Sequence, residues 1–271
     1  VVAFMIKPQA IALLPVLVVL IVMRYSWRRW LPAGIAAIVL GFVVIAPFLG
    51  WRSYLALAEL LGGSVNVYPY TSMFTYNLWG IFGFWEDDRV SSILGLSLRS
   101  TGTLLYLIGI GYGVWVFWRA LRHARDPLFP SLAAATYFLF LPVMVLTRMH
   151  ERYLYPIFPF LLIVTLLGVM NYGYERRAGP LRWIPLALYG FLSVLHTFNL
   201  YQVYLYYIYF NDDLRVPESN TLYYFIERNG ALWSALTLAA FVVIAVALWW
   251  WSMLPLEQRM QHETRLADQT K

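Results

Sequence analysis

Apolar runs of about 17 to 23 residues recur along this sequence, each closed by a basic or polar cluster, and no other feature limits its fold so strongly. Wound as a helix, a run of that length matches the hydrocarbon thickness of a bilayer, whereas the ten-residue alternating segments of a membrane barrel do not occur. Hydrophobic residues make up 61% of the chain and charged residues 13%, against roughly 25% charged in soluble domains. The fold class is all-α integral membrane.

Taken in order, residues 1 to 6 read as the end of a preceding span. Seven complete spans follow, at about Pro8–Met23, Leu31–Gly50, Thr101–Trp118, Leu128–Leu146, Leu154–Met170, Trp183–Tyr204 and Leu232–Trp251. Residues 1–255 form one polytopic domain and 256–271 a polar tail. The segment WRSYLALAELLGG, from Trp51, has apolar residues at helical spacing and a Gly-Gly stop, which predicts an amphipathic helix in the interface. The aromatic, glycine-punctuated stretch after it is too polar to span and reads as a loop that caps the helices or lines a substrate cavity.

Charge sets the orientation. Arg24, Arg28, Arg29, Arg119, Arg122, Arg125, Arg176, Arg177, Arg182 and the tail lie in short segments at one side, and Glu59, Glu86, Asp87, Asp88, Glu151, Asp212, Asp213, Glu218 and Glu227 lie in the longer loops of the other. The positive-inside rule makes the first side cytoplasmic. Trp27, Trp30, Trp115, Trp118, Trp183 and Trp249–Trp251 fall at the same boundary, as an aromatic belt requires. The net charge of +6 is therefore accounted for by orientation and gives no support to a nucleic-acid partner.

The chain has no cysteine, and its four histidines form no ligand pair, so no metal and no cofactor is expected. Chemistry concentrates instead in TRMHERYLYP, Thr147 to Pro156, between the fourth and fifth spans. Arg148, His150, Glu151 and Arg152 put four ionisable groups into five positions at the outer boundary, where charge is costly and the positive-inside rule asks for no arginine. In a helix the two arginines share a face, and in a strand they share a side with His150, so either geometry lets them converge on one anion. Simple snorkelling anchors are the alternative for such arginines.

Beyond this, the residues resemble a family. Lys7-Pro8-Gln9-Ala10 looks like the KPQ element of the polytopic glycosyltransferases of the GT-C superfamily, which use polyprenyl-phosphate sugars as donors. Tyr68-Pro69-Tyr70 with Tyr76-Asn77-Leu78-Trp79 is similar to the YPY and NLW stretches of bacterial members related to the GPI-anchor second mannosyltransferase, and Met149 to Tyr153 resembles their MHERY motif. Phe74-Thr75 departs from the Asn-Ala those relatives carry.

The resemblance implies transfer of a hexose, of the mannose or glucose class, from the lipid phosphate to a glycan acceptor at the outer face of the cytoplasmic membrane. It implies a carboxylate base in a first outer loop, upstream of Val1. Here it assigns the donor phosphate to Arg148, Arg152, Lys7 and Gln9, with His150 as an imidazolium facing the leaving group and Glu151, which is not the base, orienting His150 or pairing with an arginine. Tyr68, Tyr70, Asn77, Trp79 and Tyr153 would line the cavity, while Glu86-Asp87-Asp88 reads as a solvated loop. Two other classes stay open: a transporter or lipid-flipping protein with a basic outer vestibule, for which His196 is the main intramembrane candidate, and a non-catalytic membrane partner subunit.

Overall fold

The computed structural model describes residues 8–65, 67–93, 95–124, 127–173, 183–211 and 215–253. Lys7, the arginines at 176, 177 and 182, and the polar tail lie outside them. Pro8–Leu13 winds as a 3-10 turn into α1 (Leu14–Arg24), with a proline in its first turn, where the missing N–H would have no partner anyway. Next come α2 (Trp27–Leu49) and α3 (Ser53–Val65), joined at Gly50, whose φ of 70° ends the first of them. Beyond the loop lie α4 (Leu98–His123), α5 (Leu128–Val145), α6 (Ile157–Gly173), α7 (Ile184–Asn211), α8 (Thr221–Arg228) and α9 (Gly230–Met253).

The chain is mainly helical, and among the described residues four helical stretches are long and apolar enough to cross a membrane: Trp27–Leu60, Leu98–Arg122, Leu128–Val145 and Gly230–Trp249. Of the other expected spans, Gln9–Arg24 is a shorter apolar helix, α6 covers 17 residues, and α7 covers 28, with His196, Asn199, Gln202 and a row of tyrosines along it. The segment after Trp51 is helical as its spacing predicts, and α3 lies against α2, with the Tyr54 hydroxyl donating to the Ile38 carbonyl.

At the centre is α5, whose side chains from Ala133 to Val145 are almost all buried, with α1, α4, α6 and α9 around it. Lipid offers no hydrophobic force between helices, so the bundle depends on close packing and hydrogen bonds. Gly113 of α4 provides the closeness, since a methyl there would collide with the Tyr137 and Phe138 rings of α5. Tyr137 donates to the Gly109 carbonyl at 2.9 Å and stacks on Phe241 of α9.

The stretch read as a polar loop is packed into one end of this bundle, with Thr71–Asn77, Trp79 and Gly80 all buried. Its β1 (Ser72–Met73) pairs in parallel with β4 (Met149–His150), while β2 (Ser91–Ile93) and β3 (Leu96–Ser97) form a separate antiparallel ladder. Buried polar groups need partners, and α7 supplies two, one to the main chain and one to a side chain. Asn199 Nδ2 donates to the Phe74 carbonyl, and Tyr76, sunk beside it, donates its hydroxyl to Gln202 Oε1 at 3.0 Å.

Candidate functional site

The Thr147–Pro156 motif is neither helix nor continuous strand. After α5 the chain turns at Arg148 with a φ of 64°, runs extended through β4, then coils as a 3-10 turn over Glu151–Leu154 before α6 begins at Ile157. This mixed path separates the two arginines.

Arg148 turns inward onto Asp88. Its Nε and one terminal nitrogen donate to the two carboxylate oxygens at 2.7 and 2.8 Å, and Thr147 Oγ1 donates to Oδ2 at 2.7 Å. The side chains are 9% exposed for Arg148 and 0% for Asp88. Burial opposes ionisation of Asp88, but the hydrogen bonds from Arg148 and Thr147 prevail and hold its carboxyl below the ordinary value. The sequence-based expectations that Arg148 holds a ligand phosphate and that Asp88 belongs to a solvated loop are both corrected here: the guanidinium fork is filled by a protein carboxylate. Its neighbour Asp87 does fit the solvated reading, ion-paired to exposed Arg89 at 2.9 Å.

Arg152 is exposed, and among the described residues its side chain has no hydrogen-bond or ion-pair partner. Together with Glu151 it lines an open pocket of about 650 Å3 whose other wall is Tyr155 and the α7 residues Tyr201, Tyr204 and Tyr207. Glu151 is 8% exposed; burial pushes its carboxyl above the ordinary value, against the backbone N–H groups of Glu151 and Arg152 that favour the anion. The pocket thus offers one cation, one acceptor and several aromatic faces. These groups suit a ligand that carries an anion and hydroxylated rings.

His150 sits behind the pocket, edge-on to Tyr68 at 6.0 Å and to Tyr153 at 5.5 Å between ring centroids. Burial, with a smaller push from Arg152, lowers its pKa to about 4. Its Nδ1 stands 4.0 Å from Glu151 Oε2, beyond hydrogen-bond reach. The distance alone would permit an ion pair, but desolvation of both groups outweighs it. Without a ligand, burial thus favours the neutral imidazole of His150 at neutral pH, whereas the resemblance implied an imidazolium facing the leaving group.

Two of the predicted cavity residues are scaffolding. Asn77 Oδ1 accepts from the Trp79 and Gly80 N–H groups at 3.0 Å, and Trp79 Nε1 donates to the Val145 carbonyl at 2.9 Å. Both side chains are buried away from the pocket lining, as is the amide of Gln9, which has no partner among the described residues. Tyr70 packs on Trp85, and Lys7 lies outside the described residues. Sequence reasoning missed Asp88 and the α7 tyrosines. The spacing of Tyr201, Tyr204 and Tyr207 at three-residue intervals was the available signal for the latter, since it puts them on one helical face.

A comparison with protein-family models finds no match, and comparisons with curated proteins and with solved structures find none either.

Proposed function

We propose that this protein is an integral membrane hexosyltransferase that takes its sugar from a polyprenyl phosphate, with the pocket between the Glu151–Leu154 turn and α7 as donor site. The observation that carries this reading is the Arg152 guanidinium, without a partner among the described residues, beside Glu151 in a tyrosine-walled pocket. In this reading the chain crosses the cytoplasmic membrane about seven times, the pocket opens at the outer face, and the basic side and tail are cytoplasmic. Arg152 binds the donor phosphate and stabilises the charge that grows on it as the bond from the sugar C1 breaks. Tyr201, Tyr204 and Tyr207 offer faces for the sugar ring, and Glu151 accepts a hydrogen bond from a sugar hydroxyl. An acceptor glycan hydroxyl then attacks C1, with the family's base drawn from a first outer loop.

The resemblance of the KPQ, YPY, NLW and MHERY elements supports the same reading. Donor binding by the purified full-length protein tests it. A charge-assisted hydrogen bond contributes about 1.5–3 kcal/mol, so Arg152→Ala should weaken donor-analogue affinity by roughly ten- to a hundred-fold. Arg152→Lys should recover only part, because lysine keeps the charge but loses the planar fork. Wild-type protein that transfers neither mannose nor glucose from polyprenyl phosphate would overturn the enzyme reading.

A further inference from the structure

Among the described residues, the non-glycine residues with left-handed backbone are Phe74, Trp85 and Arg148, with φ of 62°, 64° and 64°. They belong to a single knot. Phe74 forms an antiparallel bridge with His150 and meets the Trp85 ring edge-on at 5.3 Å. Trp85 donates its backbone N–H to the Ser72 carbonyl, and Arg148 donates its own to Tyr70, each at 2.9 Å. Bulky residues persist in this conformation only where their surroundings over-determine it, and such strain gathers at ligand clamps and active sites.

We infer that Asp88 and Arg148 are positioning residues, which through this knot hold the His150–Arg152 segment so that Arg152 and Glu151 face the α7 tyrosines. The inference rests on the reading of that pocket as a site for a phosphate-linked sugar lipid. Arg148 does not line the pocket, so any influence on it must run through the backbone. The path is short and tied at each step. Asp88 is fixed by Thr147, by its N–H to the Pro69 carbonyl at 2.9 Å, and by its carbonyl, which accepts from Arg99 at 3.1 Å. Its two bonds to Arg148 fix the orientation of that residue at the turn. The next carbonyl, Met149, accepts from Thr75 Oγ1 at 2.6 Å, and β4 leads directly into the turn that carries Glu151 and Arg152. A lysine at 148 would keep the charge pair but lose the two-point fork that sets direction.

The test uses purified full-length protein in lipid nanodiscs, with farnesyl phosphate as probe and amide hydrogen exchange over residues 149–152 as a second readout. Arg148→Lys and Asp88→Asn should each weaken farnesyl phosphate binding about tenfold and speed exchange across that segment. The double variant Asp88→Leu with Arg148→Met removes both charges at similar volume, so it should regain thermal stability without regaining affinity. Arg152→Ala should lose affinity while leaving exchange at 149 and 150 unchanged. Well-folded Arg148→Lys or double variant with wild-type affinity and wild-type exchange would overturn the inference. Should wild-type protein not bind farnesyl phosphate, the pocket reading fails by itself; unchanged exchange in Arg148→Lys and Asp88→Asn would then overturn the positioning role independently.

Discussion

Removing Asp88 should be among the most destabilising single changes in this protein. Asp88→Ala deletes a side chain that is 0% exposed and strands the Arg148 guanidinium, 9% exposed, without the two bonds of 2.7 and 2.8 Å that satisfied it. Thr147 loses its acceptor at 2.7 Å as well. Breaking a buried ion pair from one side costs about 3–5 kcal/mol, mostly the penalty of an uncompensated buried charge. Thr147→Val removes only the neutral hydroxyl donor and should cost about 1 kcal/mol. The sign with pH follows from the lowered carboxyl of Asp88: its contribution is complete above the ordinary aspartate range and is lost as pH falls through the folded-state value. Reversible unfolding in mixed micelles, followed by tryptophan fluorescence, measures these differences. A loss below about 1 kcal/mol for Asp88→Ala would show that the pair is solvated and would refute the reasoning.

His150 should titrate near 4 in the ligand-free protein, and the ring-proton shifts of selectively labelled histidine will show it. Since its folded value lies below the ordinary one of about 6.5, the unfolded chain binds more protons between the two, so stability is full above that window and falls as pH drops through it. His150→Gln should flatten this acid dependence, and unchanged slopes would count against the assignment. Tyr76→Phe strands the buried Gln202 carbonyl oxygen and should cost about 1–2 kcal/mol in the same unfolding assay. With no native cysteine in the chain, single cysteines at Tyr68 and Arg122 test the orientation: an impermeant maleimide applied to intact cells should label the first and spare the second.

The helices were legible because the lipid constraint acts on whole runs of residues. An apolar run bounded by arginines locates α4, α5 and α9 within a few residues of where they lie. The end of the bundle was less legible, since its order comes from pairs far apart in sequence. Asp88 and Arg148 are separated by 60 positions and Phe74 and Asn199 by 125, and local pattern carries no trace of either bond. An aromatic, amide-rich loop is expected to meet ligand or solvent; here Asn77 and Trp79 are occupied with main-chain groups instead. The motif around His150 was found by charge density, but its geometry was misread because both simple conformations keep Arg148 and Arg152 on one side. A left-handed residue followed by two extended residues and a 3-10 turn does not.

The polar row of α7 bears on the choice between transfer and transport. An ion or proton path through a membrane domain needs ionisable groups that can exchange partners. In α7 the buried His196, Asn199 and Gln202 follow at three-residue intervals and share one face, the arrangement such a path would use. Two of the three are amides already committed to Phe74 and Tyr76 of the loop, and amides carry no proton at physiological pH. The third, His196, lies stacked on Phe158 at 5.0 Å and edge-on to Tyr155 at 4.9 Å, and among the described residues neither of its ring nitrogens has the hydrogen-bond partner a relay would need. The row therefore fits better as the anchor that seats the loop on the bundle than as a conduit, and it leaves the outward tyrosines of the same helix as the wall that a ligand meets. With one face of α7 buried to hold a loop and the other presented to a pocket, both walls of that pocket are fixed to the same rigid element, which is the kind of support that precise positioning of any ligand there would need.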